Sequence, residues 1–152
     1  MIKNLKKIFV LIAVAAASLS CSAMVLLDRQ EDTPKEGNLK LTVNGVVSDI
    51  TSNRPLSGMK ITLSAYAENS PSLLPDANKT VFTDSKGVYT IEASGFSGPV
   101  TCMVTAESPE DADVKYETVT NKVVVTWSGN SFDAESNTAY VNECNFQMRK
   151  SD

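Results

Sequence analysis

The sequence contains no histidine. Its absence removes the usual general base of neutral pH, the usual activator of a serine or cysteine nucleophile and the commonest metal ligand. Aromatic residues are scarce, at 7% of the chain with a single Trp. The core must therefore come from aliphatic side chains, and the abundance of Val, Thr and Ala points to β-structure. Basic clusters are missing after residue 7, which argues against a nucleic-acid partner, whose phosphates need Lys and Arg to neutralise them. No nucleophile elbow or Ser-x-x-Lys pattern occurs, no internal repeat is evident, and no amphipathic helical period follows the first 27 residues.

The N-terminal segment holds Lys3, Lys6 and Lys7 followed by the apolar run IFVLIAVAAASL, residues 8 to 19. A positive region followed by an apolar run of this length is the pattern of an export signal. Ser18-Leu19-Ser20-Cys21 resembles a lipobox, in which small residues precede a cysteine that is acylated before cleavage on its N-terminal side. Here Leu stands one place nearer the cysteine than in the usual pattern. Two other readings stay open: cleavage after Ala23 at the small-residue site Cys21-Ser22-Ala23, and an uncleaved span over Ile8 to Leu27. The expected organisation is a lipoprotein signal peptide over 1–20, a lipidated cysteine and polar tether over 21–38, and one domain over 39–150. A chain beginning at Cys21 has 11 of the 14 basic side chains against all 18 acidic ones, a net charge near −7.

Cysteine parity bears on the same question, because an odd thiol in an exported chain needs an explanation. With Cys21 lipidated, Cys102 and Cys144 remain as a pair. A disulfide between them would close a loop of about 40 residues and stabilise by ~4 kcal/mol on the chain-entropy model. The alternative is two small buried thiols that pack without bonding.

From Leu39 onward the hydrophobic period is two. Leu39, Leu41, Val43, Gly45 and Val47 share one face; Met59, Ile61, Leu63, Ala65 and Ala67 share another. SDITSNRPLSG, between these strands, is rich in turn formers and reads as a connection between sheets or strands. ENSPSLLPDANK, residues 68 to 79, reads as a longer loop whose Leu73 and Leu74 cover one end of the core. VFTDSKGVYTI, residues 81 to 91, has the chemistry of a β-hairpin, with Asp84 bonding its own turn and Gly87 supplying positive φ. Val100, Cys102 and Val104 mark a further strand, and Val119, Asn121, Val123, Val125 and Trp127 share one parity. TAYVNECNFQM, residues 138 to 148, changes phase near Val141, which predicts a bulge. About seven short strands without a helix predict an all-β, prealbumin-like or immunoglobulin-like sandwich of antiparallel sheets.

Three stretches resemble the carboxypeptidase regulatory-like domains: Gly45-Val46-Val47-Ser48-Asp49, then Arg54-Pro55-Leu56-Ser57-Gly58-Met59, then Thr83-Asp84-Ser85-Lys86-Gly87-Val88-Tyr89-Thr90-Ile91. They match that family's G-x-V-x-D strand, P-L-x-G-V turn and T-D-x-x-G-x-Y hairpin in order, over about residues 42 to 95. The resemblance implies a transthyretin-like sandwich used as a non-catalytic module, with the glycines and Pro55 serving architecture. Small envelope lipoproteins of Bacteroidetes-type bacteria are similar in layout. Transthyretin-like hydrolases share the fold but depend on histidines and a C-terminal motif that this chain lacks.

Other chemistry is thin. Lys40 with Asn142 or Asn145 and Glu92 could supply the residues of an intramolecular isopeptide bond, but Lys40 falls on the predicted solvent face. Glu107, Glu110, Asp111 and Asp113 are oxygen ligands without the ordered spacing of a calcium loop, so a solvated acidic loop is expected. Trp127 and Tyr66 could be ligand platforms, although lone aromatics on strands usually border a core. The expectation is a non-enzymatic, lipid-anchored envelope protein of the outer membrane, without cofactor or metal, that binds a protein or glycan. An adhesin or pilus-associated subunit pairing through an edge strand is the alternative, and a hydrolase on the same fold is the third reading.

Overall fold

A computed structural model describes residues 38–68, 73–74 and 77–152, all of which fall in one compact unit. Cys21, the segment 1–20 and the tether up to residue 37 lie outside the described residues. Nine strands follow one another: β1 Leu39–Asp49, β2 Lys60–Ala67, β3 Lys79–Phe82, β4 Val88–Phe96, β5 Val100–Glu107, β6 Val119–Val125, β7 Phe132–Asp133, β8 Thr138–Val141 and β9 Phe146–Met148. They form an all-β sandwich. One sheet has the order β4-β1-β8-β7 with β9 also paired to β1, and the other has the order β3-β2-β5-β6. Nine strands replace the expected seven because the last predicted strand is split into β8 and β9 and the two-residue β7 is added.

The period-two pattern sets the two inner faces. Leu41, Val43 and Val47 of β1 meet Ile61, Leu63 and Ala65 of β2 and Cys102 and Val104 of β5, all fully buried. Alternate residues such as Lys40, Glu92 and Lys122 point to solvent, as the pleat requires. At one end Trp127 closes the core, stacking obliquely on Phe96 at 5.3 Å between ring centres and donating its indole N–H to Lys40 O at 2.8 Å. Leu74 packs against the core, while Leu73 stays largely exposed.

The pairing of β1 departs from the antiparallel expectation. β4 runs antiparallel to it, but β8 and β9 run parallel on its other side, β8 along Lys40–Val43 and β9 along Val47–Asp49. Between these two contacts lies the bulge that the change of phase predicts. Glu143 takes a positive φ of 60°, Asn145 Oδ1 accepts the Val46 N–H, and Asn44 Nδ2 donates to Asn142 Oδ1. Cys144 N–H donates to Asn44 O at 3.0 Å, and the Cys144 carbonyl receives the Tyr89 hydroxyl. Gly45 makes this approach feasible, because a Cβ there would overlap the Cys144 carbonyl.

The stretch 81–91 departs in another way. Its turn forms as expected: Asp84 Oδ1 accepts the Lys86 and Val88 N–H groups, and Gly87 has a φ of 72°. Its flanking strands part, β3 joining β2 in one sheet and β4 joining β1 in the other, so the segment is an arch rather than a hairpin. Thr83 accounts for the parting: its hydroxyl donates to Leu56 O at 2.6 Å and accepts the Met59 N–H at 2.9 Å, which binds the arch to the β1–β2 connection. Gly87 O accepts the Val47 N–H, and Val47 O accepts the Leu56 N–H. The three motif stretches thus interlock as one corner of the sandwich.

Candidate functional site

The parallel run of β9 beside β1 brings both strand ends out on one side of the molecule. Ile50 N–H donates to Met148 O, Glu117 N–H to Arg149 O and Ser151 N–H to Lys115 O, so the chain around Tyr116, the segment after β9 and the turn after β1 meet there. Between them lies a polar cleft of about 700 Å³. Its charged lining comes from Asp49, Arg54, Glu117, Arg149, Lys150 and Asp152, with Tyr116 as its aromatic side.

Asp49 is the built-in element. It is almost fully buried, and its Oδ1 accepts the Thr51 and Ser52 N–H groups at 2.8 Å each while Oδ2 accepts the Tyr116 hydroxyl at 3.3 Å. The Ser52 N–H leads in holding its carboxyl below the usual aspartate range, with further help from Thr51 N–H and the Ser52 and Tyr116 hydroxyls, against an opposing effect of burial. The same interactions shape the turn, in which Asn53 adopts a φ of 55°. Asp49 therefore orders the wall of the cleft and has little capacity left as a base.

The cations are placed differently. Arg54, Arg149 and Lys150 are exposed, and none has a carboxylate within ion-pair distance among the described residues. The one ion pair among those residues joins Lys60 to Glu107 at 2.8 Å on the outer face of the β2–β5 pair. Three cations without an ion pair among the described residues thus line one cleft, alongside Asp49, Glu117 and Asp152. Sequence spacing could not reveal this, since Arg54 and Arg149 are brought together only by the parallel pairing of β9.

The residues singled out from sequence lie elsewhere. Cys102 and Cys144 are free, buried thiols. Cys102 sits mid-strand in β5 between Ala65 and Val123, where burial pushes its thiol up to about 12. Cys144 sits in the bulge on the other sheet, with Asn121 Nδ2 at 4.0 Å from its Sγ. Lys40 is exposed in a second depression, of about 490 Å³, on the outer face of the first sheet beside Glu92 and Tyr140. Asn142 and Asn145 are bonded within the bulge. Trp127 is a core residue and Tyr66 is half-buried, away from it on β2. In the acidic loop the Lys115 ammonium takes the Pro109 and Glu110 carbonyls. No group of three or more metal-ligating side chains converges among the described residues, and no helix among them is long and apolar enough to cross a membrane.

No family model and no curated protein sequence matches the chain. Among solved structures it is similar to 3-chlorocatechol 1,2-dioxygenase from Rhodococcus opacus 1CP, with a TM-score of 0.50 and 15% identity, over 78% of this chain and 62% of that one. It also aligns with the shaft pilin SpaA from Lactobacillus rhamnosus GG, with a TM-score of 0.39 and 16% identity, over 78% of this chain and 52% of that one. A 9R-lipoxygenase from Cyanothece PCC8801 aligns at a TM-score of 0.36 and 15% identity, over 76% of this chain and 18% of that one. The chain thus spans less than two thirds of each of these proteins, and what the likeness to the dioxygenase establishes is the β-sandwich fold.

Proposed function

We propose that this chain is a non-enzymatic, lipid-anchored protein of the cell envelope, held to the outer membrane through acylated Cys21, whose sandwich presents a ligand cleft at the far end of β1 from Leu39. The polarity of β1 carries this reading. The chain enters the 11-residue strand at Leu39, and the cleft begins at Asp49, its last residue. At the usual rise that distance is about 33 Å, close to the full length of a small domain. Leu39 and the cleft are thus at opposite ends of β1. The interlocked corner formed by the three motif stretches supports the carboxypeptidase regulatory-like reading of the domain, in which those residues serve architecture.

A hydrolase would use the same cleft, but its buried carboxylate is saturated with donors and held in the ionised form, which favours binding over proton transfer. Assembly through an edge has one observation in its favour. β6 is a seven-residue outer strand of its sheet, with Val124 65% exposed. Lys122 in the middle of that strand opposes pairing with another chain.

Metabolic labelling with a palmitate analogue tests the anchor. Wild type takes up the label and Cys21→Ala does not. Label retained by Cys21→Ala would refute acylation at this position.

A further inference from the structure

The ligand of the cleft can be narrowed by its charge pattern, an inference that rests on the binding-module reading above. Three cations, Arg54, Arg149 and Lys150, have no ionic partner among the described residues, yet the cleft is not uniformly basic. Glu117 and Asp152 also line it, and neither has a cation within ion-pair distance among those residues. Tyr116 adds a half-buried ring whose hydroxyl is tied to Asp49.

A ligand that satisfies both signs carries anionic oxygens, such as those of carboxylates, for the guanidinium forks and hydrogen-bond donors for the two acids. An acidic peptide supplies the first, but its acidic side chains carry no hydroxyl donors for Glu117 and Asp152. A neutral sugar supplies the donors and leaves three cations unanswered. An acidic sugar supplies both, since each uronic-acid unit has one carboxylate and several hydroxyls, and its apolar ring face can lie on an aromatic ring. The cleft volume of about 700 Å³ is in the range of sites that enclose a ligand of a few rings.

We propose that this cleft binds an acidic oligosaccharide. Arg54, Arg149 and Lys150 hold its carboxylates, and Glu117 and Asp152 accept its hydroxyls. Arginine forks on exposed carboxylates make the affinity dependent on salt.

Calorimetric titration of the full-length protein in detergent with tetragalacturonate, a neutral galactose tetramer and a short polyglutamate peptide tests this. Tetragalacturonate is expected to bind, at least tenfold more tightly than either of the others, and to weaken as salt rises. Arg149→Gln and Arg54→Gln, both at exposed positions, should each weaken it about tenfold with an unchanged melting temperature. Lys122→Gln on β6 should leave it unchanged. Absence of tetragalacturonate binding, equal binding of the neutral tetramer or of polyglutamate, or indifference to both arginine substitutions would overturn the proposal. The titration does not depend on acylation, so a failed anchor would leave the affinity intact, and a failed titration would leave the labelling of Cys21 intact.

Discussion

Tyr89, Gly45 and Cys144 meet in a tightly constrained contact. The Tyr89 ring is buried beside Phe146, at 6.1 Å between centres, and its hydroxyl meets the Cys144 carbonyl at the bulge. Burial, followed by that bond, pushes the phenol well above its ordinary range, so it stays a neutral donor. Tyr89→Phe should cost about 1–3 kcal/mol in denaturant unfolding, the cost of a buried carbonyl left without its donor. Gly45→Ala should cost about 3 kcal/mol or more, because backbone on both sides would have to move. A Gly45→Ala protein as stable as wild type would mean that the bulge is placed differently. The thiols give a second check. Alkylation without reductant should leave Cys102 and Cys144 untouched in the native protein and modify both after denaturation; two thiols that stay blocked until reductant is added would contradict the free pair.

Among the elements, the strands were readable from sequence and their partners were not. Alternation identifies the buried face of β1, β2, β5 and β6 because each strand has one wet side. The phase change near Val141 locates the bulge because an extra residue always reverses the pleat. Neither signal says which strand lies alongside. The Asp84–Gly87 turn looks like a hairpin because its chemistry is local, whereas the parting of β3 and β4 depends on the Thr83 bonds to Leu56 and Met59, more than twenty residues earlier. Likewise no local feature marks β9 as parallel to β1, so the cleft at their shared end was hidden. The turn after β1 has a pH signature. The carboxyl of Asp49 is lowered from 3.8, so its stabilising effect is fully present above that value and is lost as pH falls through the lower, folded one. Asp49→Asn should reduce the acid-side dependence of the melting temperature below about pH 4. An unchanged acid limb would show that the turn does not rely on the charge. At the other end of β1, Trp127→Ala should cost about 3–5 kcal/mol, since it opens the core and frees the Lys40 carbonyl.

The domain as a unit joins two ends with different tasks. One is the Leu39 end, sealed by Trp127; the other gathers charged side chains, of which Asp49 holds the turn after β1. With a net charge near −7 for a chain starting at Cys21, long-range attraction of an acidic ligand is weak, so recognition has to come from the local cations rather than from the field of the protein. The proposed anchor would hold the Leu39 end to a surface. The mass of the N-terminal peptide from protein extracted out of the envelope measures that directly. A lipid-anchored protein yields a peptide beginning at Cys21 and carrying acyl chains; an unmodified peptide beginning at Met24, or one that retains Met1, would contradict the anchor.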